Sequence, residues 1–281
     1  MTPVAPPATL YVVATPLGNL ADLTPRAAET LRRVAVVAAE DTRRAMGLLS
    51  HLDAHPRVLS FHAHSPERRQ DLLLDILREG RDVALVTDAG TPGISDPGEG
   101  LVGAVRAAGF GVVPIPGACA VTTALSASGL PADRYLFLGF VPRKGKERDR
   151  LLKEAAASAW TVVLYEAPPR LADLLDDLAA FAGADRKAVV ARELTKLYEE
   201  FRAGTLGELG SYYQASPPRG EITVVMAGRP DGPAEQLPVA EVEARARAIL
   251  AAGVTRKEAV QRLVIELGVP RNEAYRIVTS L

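Results

Sequence analysis

Cysteine occurs once, at Cys119, in a chain of 281 residues. A disulfide within the chain and a thiolate-based zinc cluster are thereby excluded. Net charge is nearly absent: 33 Lys and Arg stand against 34 Asp and Glu, a formal balance of −1. No global field advertises nucleic acid, although a local basic patch stays compatible with it. No apolar run approaches the roughly 20 residues of a membrane span. Met1–Ala8 lacks a basic segment followed by an apolar one, so no secretory leader is expected. The expectation is a soluble, cytoplasmic protein that engages no membrane. The four histidines, His51, His55, His62 and His64, lie close together without the spacing of a zinc-protease helix, and read as solvated loop residues.

What is present is an ordinary globular balance, 48% hydrophobic and 24% charged, long enough for two domains and a small third piece. Short Val-, Ile- and Leu-rich runs recur at Leu10–Ala14, Val34–Ala38, Arg57–Phe61, Val83–Thr87 and Gly111–Ile115. Helical stretches alternate with them. Thr24-Pro25 reads as an N-cap with proline in the first turn, and Ser65-Pro66 repeats the signal before a helix through Glu79. Alternating strands and helices indicate βαβ units and a mostly parallel sheet over residues 1–117. A second set of strands, Tyr135–Phe140, Thr161–Tyr165, Ala188–Ala191 and Ile222–Ala227, includes a stretch with no long helix between runs, so a mixed sheet is expected over 118–235. The Pro/Gly-rich stretch Gly228–Pro238 reads as a linker. Residues 236–281 show three short helical patterns. The middle one opens on a capping box, Thr255 with Glu258, and places Ala259, Val260, Leu263, Val264 and Leu267 on one face. With the last helix it is similar to a helix-turn-helix, a pairing that serves equally as plain packing.

Three Gly/Pro-rich loops follow apolar strands: "VATPLGNLADLTPRA" (Val13–Ala27), "VTDAGTPGISDPG" (Val86–Gly98) and "PIPGACAVTTALSASG" (Pro114–Gly129). All three would emerge at the carboxyl ends of strands in one sheet, where open α/β domains bind ligands. One such loop is adequately explained as a turn with a helix cap; three after strands of one sheet point to a site. None carries the Gly-Lys-Ser/Thr of a phosphate loop or the G-x-G-x-x-G of a dinucleotide fold. Loops offering backbone N–H and carbonyl groups suit a flat, polar, nucleoside-like ligand.

These loops, with "AAEDTRR", "FLGFVPRKG", "YEAPPRL", "ARELTK" and "GEITVV", make the chain resemble the tetrapyrrole (precorrin/uroporphyrinogen) methylase superfamily, and within it the branch that methylates small-subunit ribosomal RNA. The resemblance runs from Leu10 to Gly228 and more loosely onward. Where tetrapyrrole enzymes carry a Gly-Asp-Pro loop and a Gly-rich first loop, this chain has Gly90-Thr91-Pro92 and Thr15-Pro16-Leu17-Gly18. Those departures fit the RNA branch and argue against a porphyrin. In "YEAPPR" a proline, Pro169, stands where that branch commonly has histidine, so a histidine there is dispensable if the function is kept.

The resemblance implies two α/β domains with S-adenosyl-L-methionine in the cleft between them, and a homodimer. It implies 2′-O-methylation of a cytidine in the decoding region of 16S ribosomal RNA, as free RNA or small subunit. Carried over by position, Asp88, Ala89, Gly90, Thr91, Pro92, Ser95 and Asp96 would cradle the methionine and ribose. Pro16, Gly18, Ala118 and Thr123 would complete the pocket, with Leu138, Gly139, Thr223 and Val224 closing on the adenine from the second domain. No metal is required for transfer from a sulfonium, because positioning supplies most of the acceleration. For a catalytic role the candidates are Glu40, Arg43 and His62, of which His62 could take the hydroxyl proton or contact RNA; Asp41 in the same motif reads equally as a helix cap. The run Val141–Arg150 brings Arg143, Lys144, Lys146 and Arg148 to the end of a strand, either as RNA phosphate contacts or as a solvated helix face. Cys119 and Trp160 read as packing residues. Two other functions compete: a small-substrate methylase of the same superfamily, and a ligand-sensing nucleic-acid binder using Arg271 and Arg276.

Overall fold

The computed structural model describes residues 8–230, 239–251, 253–267, 269 and 271–281. The chain divides into two compact units at Gly228.

The first unit opens with five strands: β1 (Thr9–Val13), β2 (Val36–Ala39), β3 (Arg57–Ser60), β4 (Val83–Val86) and β5 (Gly111–Ile115). They form one parallel sheet in the order β3-β2-β4-β1-β5. The central runs VVAA and VALV are buried along their whole length, as expected of parallel strands covered on both faces. One face packs Leu10, Val36 and Leu85 against Leu73, Leu77 and Leu101. The other packs Val13, Val37 and Val86 against Leu31 and Leu49. The helices that supply these contacts are α1 (Pro25–Arg33), α2 (Thr42–His51), α3 (Glu67–Arg78) and α4 (Glu99–Ala107).

Local chemistry starts these helices. Thr24 accepts the Ala27 N–H and Pro25 occupies the first turn of α1, as its sequence indicates. Asp41 caps α2 through the Arg43 N–H. The Ser65 cap does not form. Pro66 holds the cap position of α3 with no side-chain bond, and the Ser65 hydroxyl instead accepts the His62 N–H.

α5 (Ala120–Ser128) leads to a second sheet made of β6 (Tyr135–Phe140), β7 (Thr161–Glu166), β8 (Lys187–Arg192), β9 (Glu200–Thr205) and β10 (Ile222–Met226). Its order is β6-β7-β10-β8-β9. Only the β6–β7 pair is parallel, and the others are antiparallel, so the sheet is mixed. α6 (Lys146–Ala157), α7 (Leu171–Ala182) and α8 (Leu206–Ala215) cover one face through Leu152, Leu174, Leu175 and Leu209. α5 covers part of the other, with Val121, Ala124 and Leu125 against Val163, Val189 and Val225. Trp160, read as a core or interface residue, is 50% exposed just ahead of β7, which removes it from the core.

The second unit holds α9 (Val239–Ala251), α10 (Arg256–Leu267) and α11 (Arg271–Ser280) around Val242, Ala246, Leu263 and Ile277. The Thr255–Glu258 capping box forms in both directions, and Ala259, Val260 and Leu263 turn into this core. Most of the expected linker, residues 231–238, lies outside the described residues.

Gly98 closes the second strand-end loop and starts α4 at φ +146°, and a Cβ there would sit 2.8 Å from the Leu85 methyl in the core. Gly98→Ala combines backbone strain with overpacking, each about 1–3 kcal/mol. The expected loss is about 2–5 kcal/mol, read as a lower urea midpoint at unchanged slope.

Candidate active site

β4, β1 and β5 are neighbours in the parallel sheet, so the loops at their carboxyl ends lie side by side. Main-chain bonds stitch them together. Thr15 N–H donates to the Gly90 carbonyl at 2.9 Å, and Gly90 N–H returns to Thr15 at 3.0 Å. The Thr91 hydroxyl donates to the Ala118 carbonyl at 3.1 Å, tying the second loop to the third. Burying these polar groups in mutual bonds avoids a penalty of about 1–3 kcal/mol for each one left unpaired.

These loops form one wall of a cavity of about 450 Å³, within the range of small-molecule sites. Leu17, Asp88–Thr91, Ile94–Asp96, Cys119 and Ala120 line this wall, joined by Glu40 and Arg44 beyond β2. The facing wall comes from the second sheet: Phe140, Tyr165–Pro168, Leu194 and Gly220–Thr223. The turn after β8 reaches across to the first loop. A Cβ on Gly18 would fall within 2.3 Å of the Lys196 stem, and Lys196 Nζ is held by Glu193 at 2.8 Å and Glu221 at 3.1 Å.

The cavity is acidic on its first wall. Asp88 accepts the Asp41 N–H at 3.0 Å and stands 3.6 Å from the Arg44 guanidinium. Burial, with Glu40 and Asp88 beside it, pushes Asp96 up to about 6, against the opposing Thr87 hydroxyl. Burial and Asp88 likewise raise Glu40. On the second wall burial raises the Tyr165 phenol and the Glu166 carboxyl. Glu166 Oε1 takes the Ala167 N–H at 2.8 Å, and Arg170 stands 3.2 Å from Oε2 while donating to the Val141 carbonyl. Among the described residues no three metal-ligating side chains cluster.

Of the candidate residues, Glu40, Asp88, Ala89, Gly90, Thr91, Ser95, Asp96 and Thr223 meet at the cavity. Ala118 contributes through the carbonyl that holds Thr91, and Gly139 through its close approach to Ser95. Pro16, Gly18, Pro92, Thr123 and Leu138 fall outside the lining. Val224 is a correction: alternation along β10 turns it into the core with Leu164 and Leu175, while Thr223 faces the cavity. Arg43 is another. It points to solvent and pairs with Asp41 at 2.8 Å, so it braces the cap and stays out of the cavity. His62 is exposed outside the lining and accepts the His64 N–H. Arg143, Lys144 and Lys146 are exposed, whereas Arg148 is 7% exposed, bonded to Asp177 at 2.6 Å and to the Pro142 carbonyl. That guanidinium anchors α6 to α7 and is unavailable to a phosphate.

Sequence reasoning passed over Phe140, Tyr165, Glu166, Leu194 and Glu221, which also line the cavity, as does Arg44 of "AAEDTRR". "YEAPPR" and "ARELTK" contain three of them; the signal lies in their position at the carboxyl ends of strands of the second sheet, Tyr165 and Glu166 ending β7 and Leu194 following β8.

The fold and the two-walled site define a class. Residues 9–210 match the family model of the Tetrapyrrole (Corrin/Porphyrin) Methylases. Uroporphyrin-III C-methyl transferase from Thermus thermophilus, solved complexed with S-adenyl homocysteine, shares the fold at a TM-score of 0.57 and 20% identity, covering 78% of this chain and 97% of that one. At closer range, Ribosomal RNA small subunit methyltransferase I of Synechocystis is 44% identical over 97% of this chain and 98% of its own length. The Escherichia coli protein of the same name is 43% identical over 95% and 93%. The chain belongs to the ribosomal RNA small subunit methyltransferase I family, within the tetrapyrrole methylases.

The raised Asp96 carboxyl has a stability consequence. Its proton is held more tightly in the folded chain than in the unfolded one, so its ionisation opposes folding above about pH 6. That penalty fades as pH falls towards the ordinary aspartate range. Asp96→Asn should therefore stabilise the ligand-free protein at pH 7.5 by about 1 kcal/mol, after discounting for solvent screening. The gain should shrink towards zero at pH 4, as measured by urea unfolding at both pH values.

Proposed function

We propose that this chain transfers a methyl group from S-adenosyl-L-methionine to the 2′-oxygen of a cytidine in the decoding region of 16S ribosomal RNA. The observation that carries this reading is the cavity itself. Carboxylates line the wall built by the strand-end loops, while the opposite wall leads into the exposed Arg143, Lys144 and Lys146. The carboxylates suit a cation, and the exposed basic turn beyond the cavity suits a polyanion.

The residues present fit the cofactor. Asp88 and Asp96 offer acceptors for ribose hydroxyls and an ammonium. Gly90 leaves a cradle beside Leu17 that a Cβ would tighten to 3.2 Å. Ala89, Thr91 and Ser95 complete that wall, and the Tyr165 ring, Leu194 and Ile222, with Thr223 beside them, offer a side for a base. S-adenosyl-L-methionine supplies an electrophilic methyl on a sulfonium when bound. The work left to the protein is orientation, worth about 7–11 kcal/mol at best, and acceptance of the hydroxyl proton, worth roughly 10²–10⁴-fold. Glu40 is our choice for that acceptor: it lies in the cavity, and its raised pKa suits a base better than an ordinary glutamate. The two sheets act as separate domains divided near residue 117, with the helical unit as a third part that contributes to RNA binding. The same reading makes the protein cytoplasmic. Pairing of two copies belongs to this reading; among the described residues β5 is an edge strand of its sheet, and Val113 on it is exposed. Among the described residues no helix is long and apolar enough to cross a membrane.

Labelled methyl transfer to small subunits or 16S RNA from a strain lacking the gene tests the assignment. A single methylated cytidine ribose in the decoding region is expected by mass mapping. Transfer only to a tetrapyrrole would overturn the reading. Asp88→Ala should weaken cofactor affinity by about 1.5–3 kcal/mol, the value of a lost charged hydrogen bond, with little change in melting temperature. Calorimetry and thermal unfolding on the same samples separate binding from folding.

A further inference from the structure

Phe140 ends the edge strand β6 and is 57% exposed, an unusual position for a large aromatic side chain that takes no part in the core. Its orientation is built in. Along a regular strand Phe137 and Phe140 would face opposite sides. Here the pairing of β6 with β7 slips by one residue between Phe137 and Gly139. Gly139 at the bulge adopts φ +60°, a conformation open to glycine. The bulge brings both phenylalanines onto Tyr165, with ring centroids at 5.0 and 5.4 Å. Bulges of this kind re-aim a side chain beside a functional site. The same Gly139 lets Ser95 approach, since a Cβ there would stand 2.8 Å from the Ser95 hydroxyl. The chain neighbours of this contact, Ile94 on one wall and Phe140 on the other, are both exposed apolar residues in the cavity lining. Beyond Phe140 the chain runs through Val141 and Pro142 into Arg143, Lys144 and Lys146, all exposed.

We propose that Phe140 is the platform on which the target nucleobase stacks, with Ile94 across the cavity mouth and the Arg143–Lys146 turn on the adjoining phosphates. The pattern of an exposed ring followed by basic residues is the one that holds single-stranded nucleic acid, the ring taking a base face and the cations the backbone. A ribose placed this way has its base outside the acidic wall, so the 2′-hydroxyl is what enters towards Glu40. This inference rests on the proposed RNA substrate and deepens it.

The test is steady-state methylation of unmodified small subunits by wild type and by Phe140→Ala, Phe140→Leu and Phe140→Tyr, with cofactor affinity measured by calorimetry. Phe140→Ala should lower kcat/KM for the RNA substrate about 10- to 100-fold. Phe140→Leu should be similarly impaired, since it keeps apolar bulk without a π face, while Phe140→Tyr should restore most of the activity. Cofactor affinity should change less than twofold in all three. Unchanged kcat/KM in Phe140→Ala overturns the inference. A matching loss of cofactor affinity also overturns it and assigns the ring to the cofactor. If wild type itself transfers no methyl group to small-subunit RNA, the substrate reading has failed, a result independent of Phe140.

Discussion

The reciprocal main-chain pair between Thr15 and Gly90 is the constraint on which the site depends. β1 and β4 are neighbours in a parallel sheet, so their loops leave the same edge in the same direction. Parallel strands alone do not hold two Gly/Pro-rich loops in one shape. An isolated antiparallel bridge beyond the parallel sheet does so, and the Thr91 hydroxyl ties the second loop on to the third. These bonds hold the acidic wall in one shape through main-chain and hydroxyl contacts of its own. Such pre-organisation reduces the ordering cost of binding. It also explains why this loop is longer than a plain strand-to-helix connection.

The charge arrangement opposes stability and favours function. Glu40, Asp88 and Asp96 face one cavity, with Arg44 the nearest cation to Asp88 at 3.6 Å. The proximity and burial of these groups raise the Glu40 and Asp96 carboxyls above the ordinary carboxylate range. A bound cation relieves that strain, so ligand affinity and pH response are coupled through the same groups. The second wall is tied to the first by different chemistry. The aliphatic stem of Lys196 lies over Gly18, while its ammonium is fixed by Glu193 and Glu221 in its own lobe. The cleft therefore has one wall set by loop bonding and one set by the mixed sheet, where Phe140 and Tyr165 stand beside Glu166 and Glu221.

Much of this was legible in the chain. Apolar runs such as VALV announced the parallel sheet because strands buried on both faces need no alternation. Thr24, Asp41 and the Thr255–Glu258 pair announced helix starts because their caps are local. The three loops announced a site because glycine and proline cluster only where backbone must take a particular shape. Where local signals misled, a tertiary partner had won. Ser65 resembles a cap, but its hydroxyl is taken by the His62 N–H. Arg148 resembles its basic neighbours, but the helical turn points it inward onto Asp177. Arg43 belongs to a motif beside the cavity, yet its partner is the capping Asp41.

The sequence by itself determined the class of fold, the strand-end loops and the family, because each is written in short-range pattern and motif. Only the tertiary structure decided which side chains share the cavity. Face selection in a strand depends on register, and a one-residue slip reverses it. Val224 and Thr223 are adjacent in the chain and end on opposite faces. The bulge at Gly139 moves Phe140 to the cavity side, and that bulge exists only through pairing with β7. Burial that raises Asp96 and Glu40 likewise comes from segments distant in the chain, which no local reading of the sequence assembles.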